Sequence, residues 1–398
     1  MGRRLGGSPW VWAALAVALV LGWQALTVHA NYAGNWTGLF RVGHDAALPP
    51  RLVSTTFRNP HPAGYDGQFY RLLAHDPFLR LDTVPYLDLP LLRSRRILVP
   101  LAAWALAGGR DGWIDVAYVL VVAAFVFLGV YALAKTMTLY RRHPAWGLAF
   151  LLVPAVPIAV DSMTVDVALA ALTACFAWRL ASGRERGLWW ILAAACLVRE
   201  TGVLLPAACA IAALLRRDLR KACLWAAAAL PAVAWYAYLY RVLPAAILAA
   251  EGFIPSWFYP QPKVGILLRT FDPPNYPHLV VGVQGVARGL DFIALMATLL
   301  TVAAGILLVR KMQPLALRAA FLLFLGLLIA ATDKDFWNTP YGYTRPIAPL
   351  FVLVLVAGGG RRRWVLPCIA LLPALVDLRV CAEIETQAMG VLRFLTGG

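Results

Sequence analysis

Long apolar runs separated by short clusters of arginine recur along the whole sequence, the first at residues 10–28 and the last at residues 364–380. A helix needs roughly 20 apolar residues to cross the bilayer core, where every backbone polar group must be bonded internally. Of the 398 residues, 61% are hydrophobic and 14% are charged, whereas soluble domains average roughly 25% charged residues. The pattern therefore predicts an all-α integral membrane protein that forms one polytopic membrane domain over residues 1–398.

The net charge of +16 does not indicate a nucleic-acid-binding protein, because the basic residues lie in short clusters between apolar runs. Such clusters are typical of cytoplasmic loops and of contacts with anionic membrane lipids. They are Arg3-Arg4, Arg141-Arg142, Arg184 with Arg186, Arg216-Arg217 with Arg220-Lys221, Arg310-Lys311, and Arg361 to Arg363. We expect no nucleic-acid partner, and a location in the cell inner (cytoplasmic) membrane.

With these clusters inside, the sequence predicts about 11 transmembrane helices. The first span is residues 10–29, an extracytoplasmic loop of residues 31–94 follows, and residues 97–380 hold the remaining helices and outer loops. Residues 97–109 are too short to cross and are expected to lie in or dip into the membrane. The run 187–215 is interrupted by RETG; as a hairpin of two short spans it keeps its basic flank RRDLRK inside.

The stretch GYDGQFYRLLAHDPF at residues 64–78 of the long outer loop carries two Asp, a His, an Arg, a Gln and two Tyr, in a chain that is otherwise mostly apolar. Gly64 and Gly67 flank Tyr65-Asp66, so the backbone can turn sharply there. Apolar residues then repeat at helical spacing, which predicts a short amphipathic helix at the membrane interface. These apolar residues are Phe69, Leu72 and Leu73.

Each of the two carboxylates in this stretch, Asp66 and Asp76, has two interpretations. Asp66 is either a functional group or the N-cap of the short helix, accepting backbone N–H bonds. Asp76 precedes Pro77 and can likewise be an N-cap with proline at the first helical position. The residue types and spacing leave both alternatives open.

Further charged residues interrupt apolar sequence. Arg199-Glu200 lies inside an apolar run, where ionisable residues are costly and often functional; the alternative is a salt bridge that holds a broken helix. Asp161 and Asp166, at the outer ends of two spans, are weaker candidates of the same kind.

The outer segment 333–350 combines Lys334, Tyr341, Tyr343 and Arg345. Its cations are suited to a phosphate, but an aromatic belt with an interfacial arginine is an equal alternative. The loop 242–287, with WFYPQPK and FDPPNYPH, is a candidate lining of a lipid or sugar groove.

Three patches resemble the C-superfamily glycosyltransferases, polytopic membrane enzymes that take a sugar from a polyprenyl-phosphate carrier. They are GYDGQFYRLLAHDPF at 64–78, RSRRILVPLAAWALA at 93–107 and LVRETG at 197–202; YTRPIAPL at 343–350 fits less distinctively. The closest resemblance is to bacterial proteins similar to the GPI mannosyltransferase family.

The resemblance implies that Asp66 matches the acidic residue in the first outer loop of that superfamily. Its implied role is to act as general base, or orienting group, for an acceptor hydroxyl that attacks the anomeric carbon with inversion while polyprenyl phosphate departs. The candidate phosphate ligands are Arg199, Arg345, Arg95 and Arg96. Other substrate-binding candidates are Glu200, Tyr65, Gln68, Tyr70 and Tyr343, with His75, Asp76, Asp161 and Asp166 in supporting roles.

We therefore expect transfer of a sugar, mannose by resemblance, from a polyprenyl-phosphate donor to a glycan, lipid or protein acceptor at the extracytoplasmic face. No cofactor is expected, because the first outer loop lacks the acidic pair separated by one residue that is seen in some members. The alternatives are a transporter or flippase for a lipid-linked sugar, and an inactive family member. The acidic residues concentrate on one side, in and beside outer loops, which favours an enzyme over a transporter with sites near the midplane.

Overall fold

A computed structural model describes residues 7–252, 276, 281–331 and 335–396. Throughout these residues the secondary structure is helical and no β-strand is formed, which confirms the predicted all-α class. The segment WFYPQPK, the segment FDPPNYPH except Tyr276, and the candidate phosphate ligand Lys334 lie outside the described residues.

The helices follow one another with short connections. Those of the first half are α1 (Pro9–Asn31), α2 (Pro50–Val53), α3 (Gly67–His75), α4 (Pro90–Arg95), α5 (Leu98–Leu106), α6 (Asp111–Leu139), α7 (Ala155–Ser162), α8 (Asp166–Ala181) and α9 (Leu188–Val198). Those of the second half are α10 (Leu204–Leu214), α11 (Leu219–Ala226), α12 (Leu230–Val242), α13 (Ala245–Glu251), α14 (Val281–Val309), α15 (Leu315–Ala330), α16 (Pro340–Tyr343), α17 (Ala348–Gly359), α18 (Val365–Glu383) and α19 (Glu385–Thr396). Short 3₁₀ segments include Pro144–Leu152 before α7 and Glu200–Val203 before α10.

In the described part of the chain, five helical segments are long and apolar enough to cross a membrane. They are Pro9–Asn31, Asp111–Leu139, Leu219–Val242, Gly282–Val309 and Val365–Ala382. A sixth is obtained if Pro144–Leu152 and α7, which meet at a bend of 68°, form one broken span. The chain thus has the character of a multi-pass membrane protein, and the total of 11 spans stays a prediction.

The apolar run at 187–215 is divided as its sequence indicates. Arg199 has an extended backbone (φ −159°, ψ 149°) between α9 and the 3₁₀ turn that precedes α10. Lys221 Nζ, which follows the run, lies 3.0 Å from the carboxylate of Glu185, which precedes it. The two ends of the run therefore lie together, as the hairpin interpretation predicts.

The centre of the bundle is built on α6 and α8. α8 is rich in alanine and is buried along nearly its whole length, so neighbouring helices can approach it closely. Gly129 of α6 allows a similar approach, because a Cβ there would lie 2.2 Å from the ring of Phe150. This packing fixes the first residue of α8, Asp166, inside the protein.

The two glycines of GYDG fix the long outer loop against the bundle. Gly64 has φ +66°, and a Cβ on it would lie 2.4 Å from the backbone nitrogen of Gly43. A Cβ on Gly67 would lie 2.1 Å from the carbonyl oxygen of Ser162 at the end of α7. Only glycine allows these approaches, so the turn that carries Asp66 is held against α7.

The prediction that α3 is an interfacial helix is wrong. Eight of its nine residues are buried, including the polar side chains of Gln68, Arg71 and His75. α3 packs on α5 and α6, and its polar face is covered because Arg71 forms an ion pair with Asp115 of α6 at 2.6 Å. Both faces of this amphipathic helix therefore contact protein: the apolar face packs in the core, and the polar face forms ion pairs with α6.

Replacing Gly67 with alanine should destabilise the protein by more than about 2 kcal/mol, because backbone must shift to clear the carbonyl of Ser162. The matched control is Gly112→Ala in α6, where a Cβ meets nothing within 4 Å. Thermal unfolding of the purified variants should show a lowered Tm only for Gly67→Ala. Equal Tm values would contradict the close packing of this turn on α7.

Candidate active site

Four carboxylates and four guanidiniums alternate across the end of the bundle where α8 begins. We call these eight residues the ion-pair network. In order of contact they are Asp88, Arg93, Asp66, Arg345, Asp166, Arg199, Glu200 and Arg96. They come from the long outer loop, α4, the start of α8, the break after α9 and the segment before α17, so the fold brings together residues far apart in sequence.

Asp66 is the most accessible carboxylate in the middle of the network. Its Oδ1 lies 2.9 Å from Arg93 Nη2 and its Oδ2 lies 2.7 Å from Arg345 Nη1. The side chain is 21% exposed. Although Asp66 occupies the N-cap position of α3, its carboxylate makes no capping bond to the helix. The structure therefore rules out the helix-cap interpretation and leaves a carboxylate bound by two cations.

The ionisation of Asp66 is set by opposing effects. Burial alone would raise the pKa of the carboxyl, but the guanidiniums of Arg345 and Arg93 together hold the pKa well below its ordinary value. Asp66 is therefore ionised at neutral pH, and it is a weak base for as long as both cations contact it.

Asp166 joins the two halves of the network. Its side chain is fully buried, and it accepts a bond from Arg345 Nε at 2.6 Å and another from Arg199 Nη1. Arg345 Nη2 and Arg199 Nε are also buried, and neither has a hydrogen-bond partner among the described residues. Arg199 Nε lies 3.8 Å from the carboxylate of Glu200. The two arginines thus retain N–H groups that can bind an additional anion.

Arg199 and Glu200 pair chiefly with residues on other elements rather than with each other. Glu200 accepts two bonds from Arg96, at 2.7 and 3.0 Å, in the bidentate geometry that arginine favours. Arg96 also donates to the hydroxyl of Tyr70 at 3.1 Å. The broken helix after α9 is therefore bound through Arg96 to the segment beside α4, and through Tyr70 to α3.

Of the tyrosines proposed as substrate ligands, Tyr65 contacts the network and Tyr343 does not contact it in the same way. Tyr65 belongs to the site, because Arg345 Nη1 donates to its hydroxyl at 3.1 Å and the guanidinium carbon lies 5.5 Å from its ring centroid. Tyr341 packs edge-on against Tyr65, with ring centroids 5.6 Å apart. Tyr343 instead stacks on Trp337 at 5.4 Å, which corresponds to a packing role.

Several other predicted site residues lie outside the network. The guanidinium carbon of Arg95 lies 5.4 Å from the ring centroid of Tyr236. The side chain of Gln68 binds the main chain: it accepts from the Gly43 N–H at 3.1 Å and donates to the Ala63 carbonyl at 2.9 Å.

The three remaining supporting candidates also bind elsewhere. Asp161 pairs with Arg41, and His75 Nδ1 lies 2.8 Å from Asp111. Asp76 is the C-cap residue of α3, and its carboxylate accepts the backbone N–H groups of residues 80 and 81, each at 2.8 Å. The predicted N-cap role for Asp76 is therefore wrong, because the chain after Pro77 forms a turn instead of a helix.

Two network members, Arg93 and Asp88, were not selected from the sequence. A signal was present: the RSRR cluster that begins at Arg93 falls on the predicted outer side, against the usual distribution of basic residues. A basic cluster on the outer side indicates ion pairs with acidic residues of the same protein. Asp88 forms such a pair with Arg93, at 2.7 Å. Asp88 also lines two cavities, of about 450 and about 420 Å³, that border the network.

Within the described residues, no three side chains of His, Cys, Asp or Glu converge in a way suited to a metal ion. The fold and the site define a multi-pass helical membrane protein with a buried ion-pair network at one end of its bundle. No protein family model, curated protein or solved structure matches the chain.

The network predicts different costs for two isosteric substitutions. Asp166→Asn should lower the free energy of unfolding by about 3–5 kcal/mol, because two buried guanidiniums lose their shared carboxylate. Asp66→Asn should cost less, because Asp66 is partly exposed and Arg93 keeps its pair with Asp88. Unfolding of the purified variants in detergent measures both changes.

The pH dependence of the Asp66→Asn effect follows from the lowered pKa. The stabilisation by the ionised carboxylate is present above its ordinary pKa of about 4 and is lost only as the pH falls below that value. The difference between wild type and Asp66→Asn should therefore stay constant from about pH 5 to 8. A difference that shrinks across that range would contradict the doubly paired carboxylate.

Proposed function

We propose that the protein transfers a sugar from a polyprenyl-phosphate donor to an acceptor hydroxyl at the extracytoplasmic membrane face, with inversion at the anomeric carbon. The observation that carries this proposal is the arrangement around Asp66, a partly exposed carboxylate bound between two arginines, one of which retains an unpaired N–H group. This arrangement places a proton acceptor beside cations suited to a phosphate.

The chemistry requires both kinds of group. An alcohol is a poor nucleophile, so a carboxylate within hydrogen-bond reach accelerates attack by accepting the hydroxyl proton as the new C–O bond forms. The bond between the anomeric carbon and the phosphate oxygen breaks, and the polyprenyl phosphate leaves with its electron pair. Guanidiniums stabilise the charge that gathers on that phosphate. Asp66 would take the proton, and Arg345 and Arg199 would bind the phosphate.

The low basicity of Asp66 in the network fits this reaction if the donor rearranges the ion pairs. A phosphate that binds Arg345 competes directly with the carboxylate of Asp66 for the same guanidinium. Loss of that contact raises the basicity of the carboxylate only when the donor is bound. The arrangement would thus limit base catalysis to the complex that contains the donor.

Mannose as the transferred sugar, and a glycan, lipid or protein as the acceptor, rest on the resemblance of residues 64–78, 93–107 and 197–202 to the C-superfamily glycosyltransferases. The partners are then the polyprenyl-phosphate sugar, that acceptor and the surrounding membrane lipids. Metal independence remains part of the proposal, because the leaving phosphate has arginine ligands available.

A transporter or flippase for a lipid-linked sugar is the second candidate, favoured by one observation. The break after α9 places Arg199 and Glu200 inside the bundle, and discontinuous helices with internal charges are common in transporters. The two functions differ in outcome, since a transporter moves its substrate unchanged and an enzyme makes a new glycosidic bond.

Asp66→Asn should reduce sugar transfer at least 100-fold, because the amide cannot accept the hydroxyl proton. Membranes from cells that lack or overproduce the protein are given radiolabelled polyprenyl-phosphate sugars, and the new glycan or lipid product is measured. The matched control is Asp82→Asn, an exposed position in the same loop with φ +57°, a conformation that asparagine also tolerates.

The control variant should retain wild-type transfer, and both variants should be present in the membrane at equal amounts. Full residual transfer in Asp66→Asn would remove Asp66 from the mechanism. Movement of the intact labelled lipid across the membrane, without any new glycosidic product, would favour the transporter.

A further inference from the structure

A cavity of about 450 Å³ lies in the outer loop beside the network and has no role in the mechanism above. Its volume is within the range of pockets that bind small molecules, roughly 300–1,000 Å³. The side chains that give it its chemistry are Asp45, Leu48, Phe69, Leu72, Tyr86 and Asp88. Two aromatic rings and aliphatic groups form most of its surface, and its polar side chains are two carboxylates and the amide of Gln68.

We infer that this cavity is the acceptor site and that it binds an uncharged carbohydrate ring. The inference rests on the proposed function and specifies the acceptor class for it. A sugar ring has apolar C–H faces that pack against aromatic side chains such as Phe69 and Tyr86, while its hydroxyls donate to carboxylates such as Asp45 and Asp88. An anionic acceptor is disfavoured, because both charged side chains that line the cavity are carboxylates.

The contacts of Asp88 connect this cavity to Asp66. Asp88 lines the cavity and accepts two bonds from Arg93, at 2.7 and 2.9 Å. The same guanidinium lies 2.9 Å from Asp66 and is placed over the ring of Phe69, with 4.9 Å from its central carbon to the ring centroid. A single arginine side chain, that of Arg93, therefore contacts both a carboxylate that lines the cavity and the proposed base.

The two carboxylate oxygens of Asp66 have different partners. Arg93 contacts one carboxylate oxygen of Asp66, whereas Arg345 contacts the other. An acceptor in the cavity would approach the Asp66 oxygen that Arg93 contacts, and a donor phosphate on Arg345 would lie beside the other oxygen. Asp66 would thus contact both substrates.

The test is binding of methyl glycosides to the full-length protein in lipid nanodiscs, where no sugar-containing detergent competes. Saturation-transfer NMR should detect methyl α-mannoside with the wild type. Ala47→Trp, which places an indole in the cavity, should weaken that binding at least fivefold. The matched control, Ala246→Trp at an exposed position outside the cavity lining, should bind as the wild type does.

The charge of the ligand gives a second readout. Methyl α-glucuronide should bind at least threefold more weakly than methyl α-mannoside, and Asp45→Asn should narrow that difference. Equal mannoside binding in wild type and Ala47→Trp, no mannoside binding at all, or glucuronide binding as tight as mannoside binding would each overturn the assignment.

The binding assay distinguishes this inference from the proposed function. Asp66→Asn should still bind methyl α-mannoside, because Asp66 does not line the cavity. If mannoside binding is lost in Ala47→Trp but the wild-type protein makes no glycosidic product from polyprenyl-phosphate sugars, the cavity is a carbohydrate site and the transferase proposal fails. If transfer occurs and the cavity binds no glycoside, the acceptor assignment alone fails.

Discussion

The carboxylate of Asp166, fully buried at the start of α8, is the group on which the rest of the site depends. It bonds to both Arg345 and Arg199, and both arginines are buried, so bulk water solvates their charges only slightly. Buried charges are tolerated only when they are paired and hydrogen-bonded. Asp166 thus fixes the break after α9 and the segment before α17 relative to the bundle, and Arg345 in turn positions Asp66.

This arrangement links stability to the proposed chemistry. The alternating charges sum to zero when all eight residues are ionised, since four carboxylates face four guanidiniums. The network is nevertheless uneven, because Asp166 is inaccessible whereas Asp66 is 21% exposed. The interior part holds the structure, and the part around Asp66 is where the proposed donor phosphate would replace one ion pair.

Much of the network was predictable because charges in apolar sequence are costly and therefore conspicuous. Asp66, Arg199 and Glu200 were selected on that ground or by resemblance, and the fold brings them together with Arg345 and Arg96. The pairing itself was not predictable, because it joins positions more than 100 residues apart, such as Arg96 and Glu200. The sequence likewise gave Asp166 only a supporting role, although its burial makes it central.

Other expectations failed because local pattern does not reveal tertiary contacts. The amphipathic spacing of α3 was compatible with a membrane surface, yet Arg71 and His75 on its polar face bind acidic residues at the start of α6. Asp76 before a proline was compatible with a helix start, yet its carboxylate closes a turn after α3. The apolar runs predicted the helical class well, but their number does not establish how many helices cross the membrane.

The central claim is that a phosphate releases Asp66 from Arg345, and infrared difference spectroscopy of the carboxylate tests it directly. Farnesyl phosphate, a short polyprenyl phosphate, is added to the purified protein and to Asp66→Asn. We expect a shift of a carboxylate stretching band in the wild type that is absent from the variant, although both proteins bind the phosphate. Binding without any shift in the wild type, or the same shift in Asp66→Asn, would contradict it.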